Sequence, residues 1–203
     1  MRKNNLAGII AISFLALFTF TACAQDHKQN EQTLAILNSI ESNTTLLNNH
    51  ENVIPLLNLD KKNIASVNLG FASQTIFDSL LNKYAKITSL SSANYQNSAA
   101  LNDLEDDLKY FNIVIISLPS AAANDARNIN FIQSLSSNKQ VIVSLFGDGR
   151  ALSSLDAIKA PIVWTDQSTP LAAAITPQVI FGGIGVTKKL TANFSAKYTA
   201  NSG

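Results

Sequence analysis

Short apolar runs and longer amphipathic stretches alternate along most of this chain. "KNIASVNLG" (62–70) is a run of strand type that ends on glycine. In "FASQTIFDSLLNKYA" (71–85), Phe77, Leu80, Leu81 and Tyr84 share one helical face. "KITSLSS" (86–92) predicts a second strand. Leu101, Leu104, Leu108 and Phe111 then recur three, four and three residues apart, with Asp103, Glu105, Asp106, Asp107 and Lys109 between them, which predicts an amphipathic helix. "NIVIISLPS" (112–120) is an almost continuous apolar strand, and "NDARNINFIQSLSSN" (124–138) sets Ile129, Ile132 and Leu135 at helical spacing. "KQVIVSLFGDG" (139–149) is a fourth strand, "ALSSLDAIK" (151–159) a short helix, and "APIVWTDQS" (160–168) a fifth strand. "TPLAAAITPQVIFGG" (169–183) is helical in composition but contains Pro177. Proline removes a backbone donor, so a kink is expected, or a restart with Thr176 as cap.

Five strand-type runs separated by helices, roughly 25 residues from one to the next, predict βαβ units and a parallel sheet. Runs as continuous as "IVIIS" and "VIVSLF" suit strands covered on both faces. Right-handed crossovers then make a three-layer α/β sandwich with a five-stranded, mainly parallel, doubly wound sheet. The last run, "KLTANFSAKY" (189–198), is polar and alternating, as a C-terminal edge strand or a strap would be. Residues 33–203 read as one domain, without internal repeat or low-complexity linker. Gly182 and Gly183 follow a helix, whereas a phosphate-binding loop places its glycines between a strand and the helix it opens. They are therefore expected to stop a helix by taking the left-handed position after it.

The first 22 residues stand apart. Arg2 and Lys3 precede "LAGIIAISFLALFTF", an apolar or small-residue run of 15, which is of signal-peptide length and short for a membrane span. "TAC" follows, and Cys23 is the single cysteine of the chain. Small residues before a cysteine resemble a bacterial lipoprotein signal, in which that cysteine becomes the lipidated N-terminus after cleavage; Phe20 departs from the usual Leu. The alternative is an ordinary secretory signal. Residues 23–32, "CAQDHKQNEQ", read as a tether. The resemblance implies a lipoprotein of the cell envelope, anchored in the outer membrane of a Gram-negative bacterium. Fifteen Lys+Arg against 14 Asp+Glu become 13 against 14 once Arg2 and Lys3 are removed, so anchoring rests on acyl chains and not on a basic surface. The same balance argues against nucleic acid as a partner. At 46% apolar and 14% charged residues the chain can bury a core.

Three stretches narrow the fold. In "SNTTLLNNHENVIPLLNLDKKNIASVNLG" (42–70), Leu46, Leu47, Asn48 and Asn49 are followed by Ile54, Pro55 and Leu56. "VIVSLFGDGRALSSLDAIKAPIVWTD" (141–166) reads strand, Phe-Gly turn, short helix, strand, and "PLAAAITPQVIFGGIGVTKKL" (170–190) reads helix, Phe-Gly turn and a glycine-containing link to a Leu. Their order and spacing resemble the C-terminal domain of glycoside hydrolase family 3, of the β-N-acetylglucosaminidase and β-glucosidase type. Where that domain has a Leu-Leu-Lys-Asn-like run this chain has Asn48 for the Lys, and Asp148-Gly149 replaces an Asn-Pro or Ser-Pro.

In the resembled family the nucleophilic Asp comes from an N-terminal barrel, for which about 250 residues are typical. The resemblance therefore implies a stand-alone, non-catalytic accessory of glycan or peptidoglycan processing, with a family 3 barrel protein or the glycan itself as partner. Two alternatives stay open: a piece of a split or truncated glycosidase, and a structural, protein-binding lipoprotein. Glycoside hydrolysis needs two carboxyl groups, or one with a substitute proton donor. The charged residues at expected C-terminal ends of strands are Asp125 with Arg127, Asp148 with Arg150, and Asp166 near Trp164. Each Asp suits a helix cap or turn, and each also suits a polar rim facing a sugar. Trp164 reads as core, with a stacking platform as the alternative. "DLEDD" (103–107) reads as a solvated helix face. His27 lies in the tether and His50 in a loop, and with one cysteine they make no usual zinc site; no cofactor is expected.

Overall fold

The computed structural model describes residues 29–95 and 98–203. The expected leader, Cys23 and His27 lie outside the described residues. Two compact units divide the chain, Met1–Ser39 and Ile40–Gly203. Residues 29–43 are helical (α1). The second unit carries β1 (Thr45–Leu47), β2 (Ile64–Asn68), α2 (Gln74–Leu81), β3 (Ile87–Ser91), α3 (Ser98–Asp107), β4 (Ile113–Pro119), α4 (Ala126–Asn138), β5 (Gln140–Phe146), β6 (Ile162–Thr165) and α5 (Pro170–Ile180).

The sheet has six strands in the order β1-β6-β5-β4-β2-β3. All pairs from β6 to β3 are parallel, and each of those five strands falls inside a predicted run. Side chains alternate across a strand, and the register sorts them into two faces. Ala65, Val67, Val114, Ile116, Val143 and Leu145 face a core shared with Leu104, Leu108, Phe131, Ile132 and Leu135 of the α3 and α4 segments. The other face meets α2 and α5. Gln74 of α2 donates to Ser66 Oγ at 3.0 Å and accepts from Ser117 Oγ. Phe77 of α2 meets Phe146 of β5 edge-to-face at 5.8 Å. Ser66, Ser117 and Ser144 thus place a polar row within a buried layer.

Two expectations change. The sixth strand is β1, antiparallel to β6 with Thr45 opposite Trp164 and Leu47 opposite Ile162. Residues 189–198 form a strap rather than the C-terminal edge strand, because the chain from Leu190 to Ser202 bonds back on itself. Phe194 N–H donates to Tyr198 O at 2.9 Å, Leu190 N–H to Ser202 O at 2.8 Å, and Asn201 N–H back to Leu190 O at 2.8 Å. A single bridge, Thr45 with Lys188, joins the strap to β1.

Pro177 does not restart α5. The cap is Thr169, whose hydroxyl accepts from Ala172 N–H at 3.3 Å, while Thr176 lies inside the helix and donates to Ala172 O at 3.0 Å. Burial of Ala172, Ala173, Ile175, Pro177, Val179 and Ile180 holds the turn together despite the missing donor. The glycine stop forms as expected. Gly182 sits at φ 81°, its N–H bonds Val179 O at 3.2 Å, and Gly183 N–H bonds Gln178 O at 2.7 Å. That pair of bonds is the Schellman pattern. Leu56 N–H adds a 2.8 Å bond to Ile180 O, and Pro55 lies against Gly182.

Candidate functional site

In a parallel sheet the loops after the strands gather at one edge, where open α/β folds bind ligands. β4, β5 and β6 are neighbours, so Asp125, Asp148 and Asp166, which follow them, share that edge. Asp125 has extended backbone and caps α4, accepting from Arg127 N–H at 2.9 Å. The Arg127 guanidinium donates to the same carboxylate at 2.9 Å. Asp148 repeats the arrangement at the 3₁₀ helix Gly149–Leu155, accepting from Arg150 N–H at 2.9 Å and from its guanidinium. Asp166 is exposed beyond β6.

These bonds set the charge state of the rim. The Arg127 side chain, then the Arg127 backbone N–H, holds the Asp125 carboxyl below its usual range, and Arg150 does the same to Asp148. Such carboxylates are ionised and occupied by their own helix ends. A glycosidase general acid needs the opposite, a carboxyl held protonated by an apolar setting.

Trp164 is no open platform. Its indole N–H donates to Gly147 O at 2.9 Å and its ring meets Phe194 edge-to-face at 5.5 Å. Gly149 lies against both rings: a Cβ there would stand 2.6 Å from Phe194 and 2.8 Å from Trp164. The Asp148-Gly149 turn is therefore a close approach of backbone to aromatic rings.

A cavity of about 430 Å³ opens at the other edge, where β5 and β6 begin. Lys139, Lys159, Lys197, His50, Glu51 and Gln140 are in its wall. Lys139, the C-cap of α4, donates through Nζ to Phe111 O at 3.0 Å and Lys109 O at 3.3 Å. Lys197 on the strap donates to Asp156 O at 3.1 Å and to Ile158 O. Asn48 closes the floor, and it takes the left-handed conformation, φ 57°. Its amide donates to Ile158 O at 3.1 Å, Ala160 O at 3.2 Å and the Tyr198 hydroxyl at 2.9 Å. Tyr198 is buried and its hydroxyl pKa is pushed up to about 12, chiefly by that burial.

No reading of motifs singled out these lysines. Lys139 and Lys159 each stand just before a buried parallel strand, which places both at one edge once the strands are laid side by side. Lys197 arrives only through the strap. Among the described residues no group of three His, Cys, Asp or Glu is placed to hold a metal ion.

No protein-family profile matches the chain, and no curated protein matches it. Solved structures do. A fungal multi-domain family 3 β-N-acetylglucosaminidase, described as having a GCN5-related glucosamine N-acetyltransferase region, superimposes with TM-score 0.69 at 15% identity, over 82% of this chain and 20% of its own. A family 3 β-N-acetylglucosaminidase from Paenibacillus sp. str. FPU-7 gives 0.65 at 16% identity, over 81% and 33%. The fold is that of the C-terminal-type domain of glycoside hydrolase family 3 proteins. A β-glucoside phosphorylase, BglX, gives 0.54 at 12% identity over 74% of this chain and 29% of its own, so the chain spans a third or less of the length of these three proteins. In this family 3-like domain the stretches that carried the resemblance hold the fold together. Asn48 and Asn49 tie loops, Ile54-Pro55-Leu56 docks on the end of α5, and Phe181-Gly182 ends that helix.

Proposed function

We propose that this chain is an envelope lipoprotein whose family 3-like domain is a non-catalytic accessory in glycan or peptidoglycan processing, working beside a separate family 3 barrel. The observation that carries the non-catalytic part is the state of the rim: Asp125 and Asp148 are capped, paired with arginine and shifted toward the ionised form. Neither is suited to protonate a leaving group. The leader and Cys23 support lipidation, and the family 3-like fold supports the link to glycans.

The test uses the full chain in detergent with an aryl N-acetylglucosaminide and an aryl glucoside. No turnover is expected, together with retention on insoluble peptidoglycan. Turnover that Asp125→Asn or Asp148→Asn abolishes would overturn the reading. Lipid incorporation in a bacterial host, lost in Cys23→Ser, checks the anchor separately.

A further inference from the structure

The cavity at the β5/β6 starts lies across the sheet from the acidic rim, and the accessory role does not use it. From its composition and geometry we infer that it binds a small anionic saccharide, one bearing a carboxylate or a phosphate. The inference goes beyond the accessory reading and does not depend on it.

Size comes first: about 430 Å³ lies within the range of small-ligand sites and holds a sugar residue with its charged substituent. Charge comes next. Three lysines face one glutamate in the wall, an excess of two positive charges. Lys139 and Lys197 are oriented by main-chain carbonyls, which are neutral, so the ammonium groups are positioned without being neutralised. Those bonds use two of the three donors on each ammonium. Burial lowers the Lys197 pKa, Asp156 partly offsets that and Lys159 adds a smaller lowering. An anion between the three lysines would meet the donors left free on Lys139 and Lys197 and the ammonium of Lys159.

The remaining lining argues for a sugar rather than a bare anion. Gln140, Ser136 and Glu51 offer amide, hydroxyl and carboxylate partners for hydroxyl groups, and Val53, Val141 and Pro161 give apolar surface for a ring face. That mixture of a few placed polar groups and apolar surface is how small-molecule sites orient a ligand.

The test is a backbone-amide NMR titration of the full chain in detergent. The probes are N-acetylmuramic acid, glucose 6-phosphate, N-acetylglucosamine and inorganic phosphate. Saturable shifts at Gln140, Val141 and Ala160 are expected from either sugar anion, and the one that binds more tightly tells carboxylate from phosphate. The neutral sugar and inorganic phosphate are expected to bind at least about tenfold more weakly. Lys159→Glu, a change at an exposed side chain that leaves the carbonyl-bound Lys139 and Lys197 in place, should weaken the sugar anion by at least about tenfold as well. No saturable shift from either sugar anion, equal binding of N-acetylglucosamine or inorganic phosphate, or an unaffected Lys159→Glu variant overturns the inference.

Discussion

Replacing Asn48 by Ala should destabilise the domain by about 3 kcal/mol, made up of two parts that can be separated. The backbone at φ 57° costs an ordinary L-residue about 1 kcal/mol that asparagine largely escapes. The amide also supplies two N–H donors to three acceptors, Ile158 O, Ala160 O and the Tyr198 hydroxyl, and each net hydrogen bond contributes about 1 kcal/mol. Asn48→Gly removes the same amide but tolerates the left-handed backbone, so it should recover about 1 kcal/mol of the loss. Urea unfolding of the three proteins, followed by circular dichroism, measures this; a loss of 3 kcal/mol moves the midpoint by roughly 1–3 M. The amide should also couple to Tyr198→Phe by about 1 kcal/mol in a double-mutant cycle. An Asn48→Ala variant within about 0.5 kcal/mol of wild type, or a Gly variant no more stable than the Ala variant, refutes the clamp.

Three further outcomes are expected. Gly182→Ala meets a left-handed backbone and the Pro55 ring 2.8 Å from its Cβ, and should cost upward of about 2 kcal/mol in the same unfolding assay. Gly149→Ala drives a methyl into Phe194 and Trp164; because Trp164 is the single tryptophan, its fluorescence should shift even where the fold survives. Tyr198 has a folded pKa of about 12 against 10.0 for the free group, so the unfolded chain loses this proton first. Stability from Tyr198 is therefore fully present below pH 10.0 and is lost as pH rises toward 12. Spectrophotometric tyrosinate titration should show Tyr198 ionising only as the domain unfolds, and Tyr198→Phe should flatten the alkaline fall in stability.

The fold was legible because its central strands are buried on both faces. "IVIIS" and "VIVSLF" carry enough continuous apolar character to declare central strands, and the glycine stop after α5 is a local steric rule that Gly182 obeys. Edges were less legible. β1 has three residues and pairs only because β6 presents an open side, whereas the alternating strap closes on itself. Pro177 carries a strong local signal that burial of α5 overrides.

The sequence alone determined where the apolar runs and the glycine helix stop fall, since these depend on residues a few positions apart. It also placed Asp125, Asp148 and Asp166 at one edge, because strand ends in a parallel sheet gather by topology. The tertiary structure decided what those residues do. Whether Asp148 faces a ligand or caps its own helix depends on a rotamer held by Arg150. Only the strap and β1, some 150 positions apart, bring Asn48 to Tyr198 and close the lysine-lined cavity. Contacts across that separation leave no period in the chain, so folding is needed to reveal them.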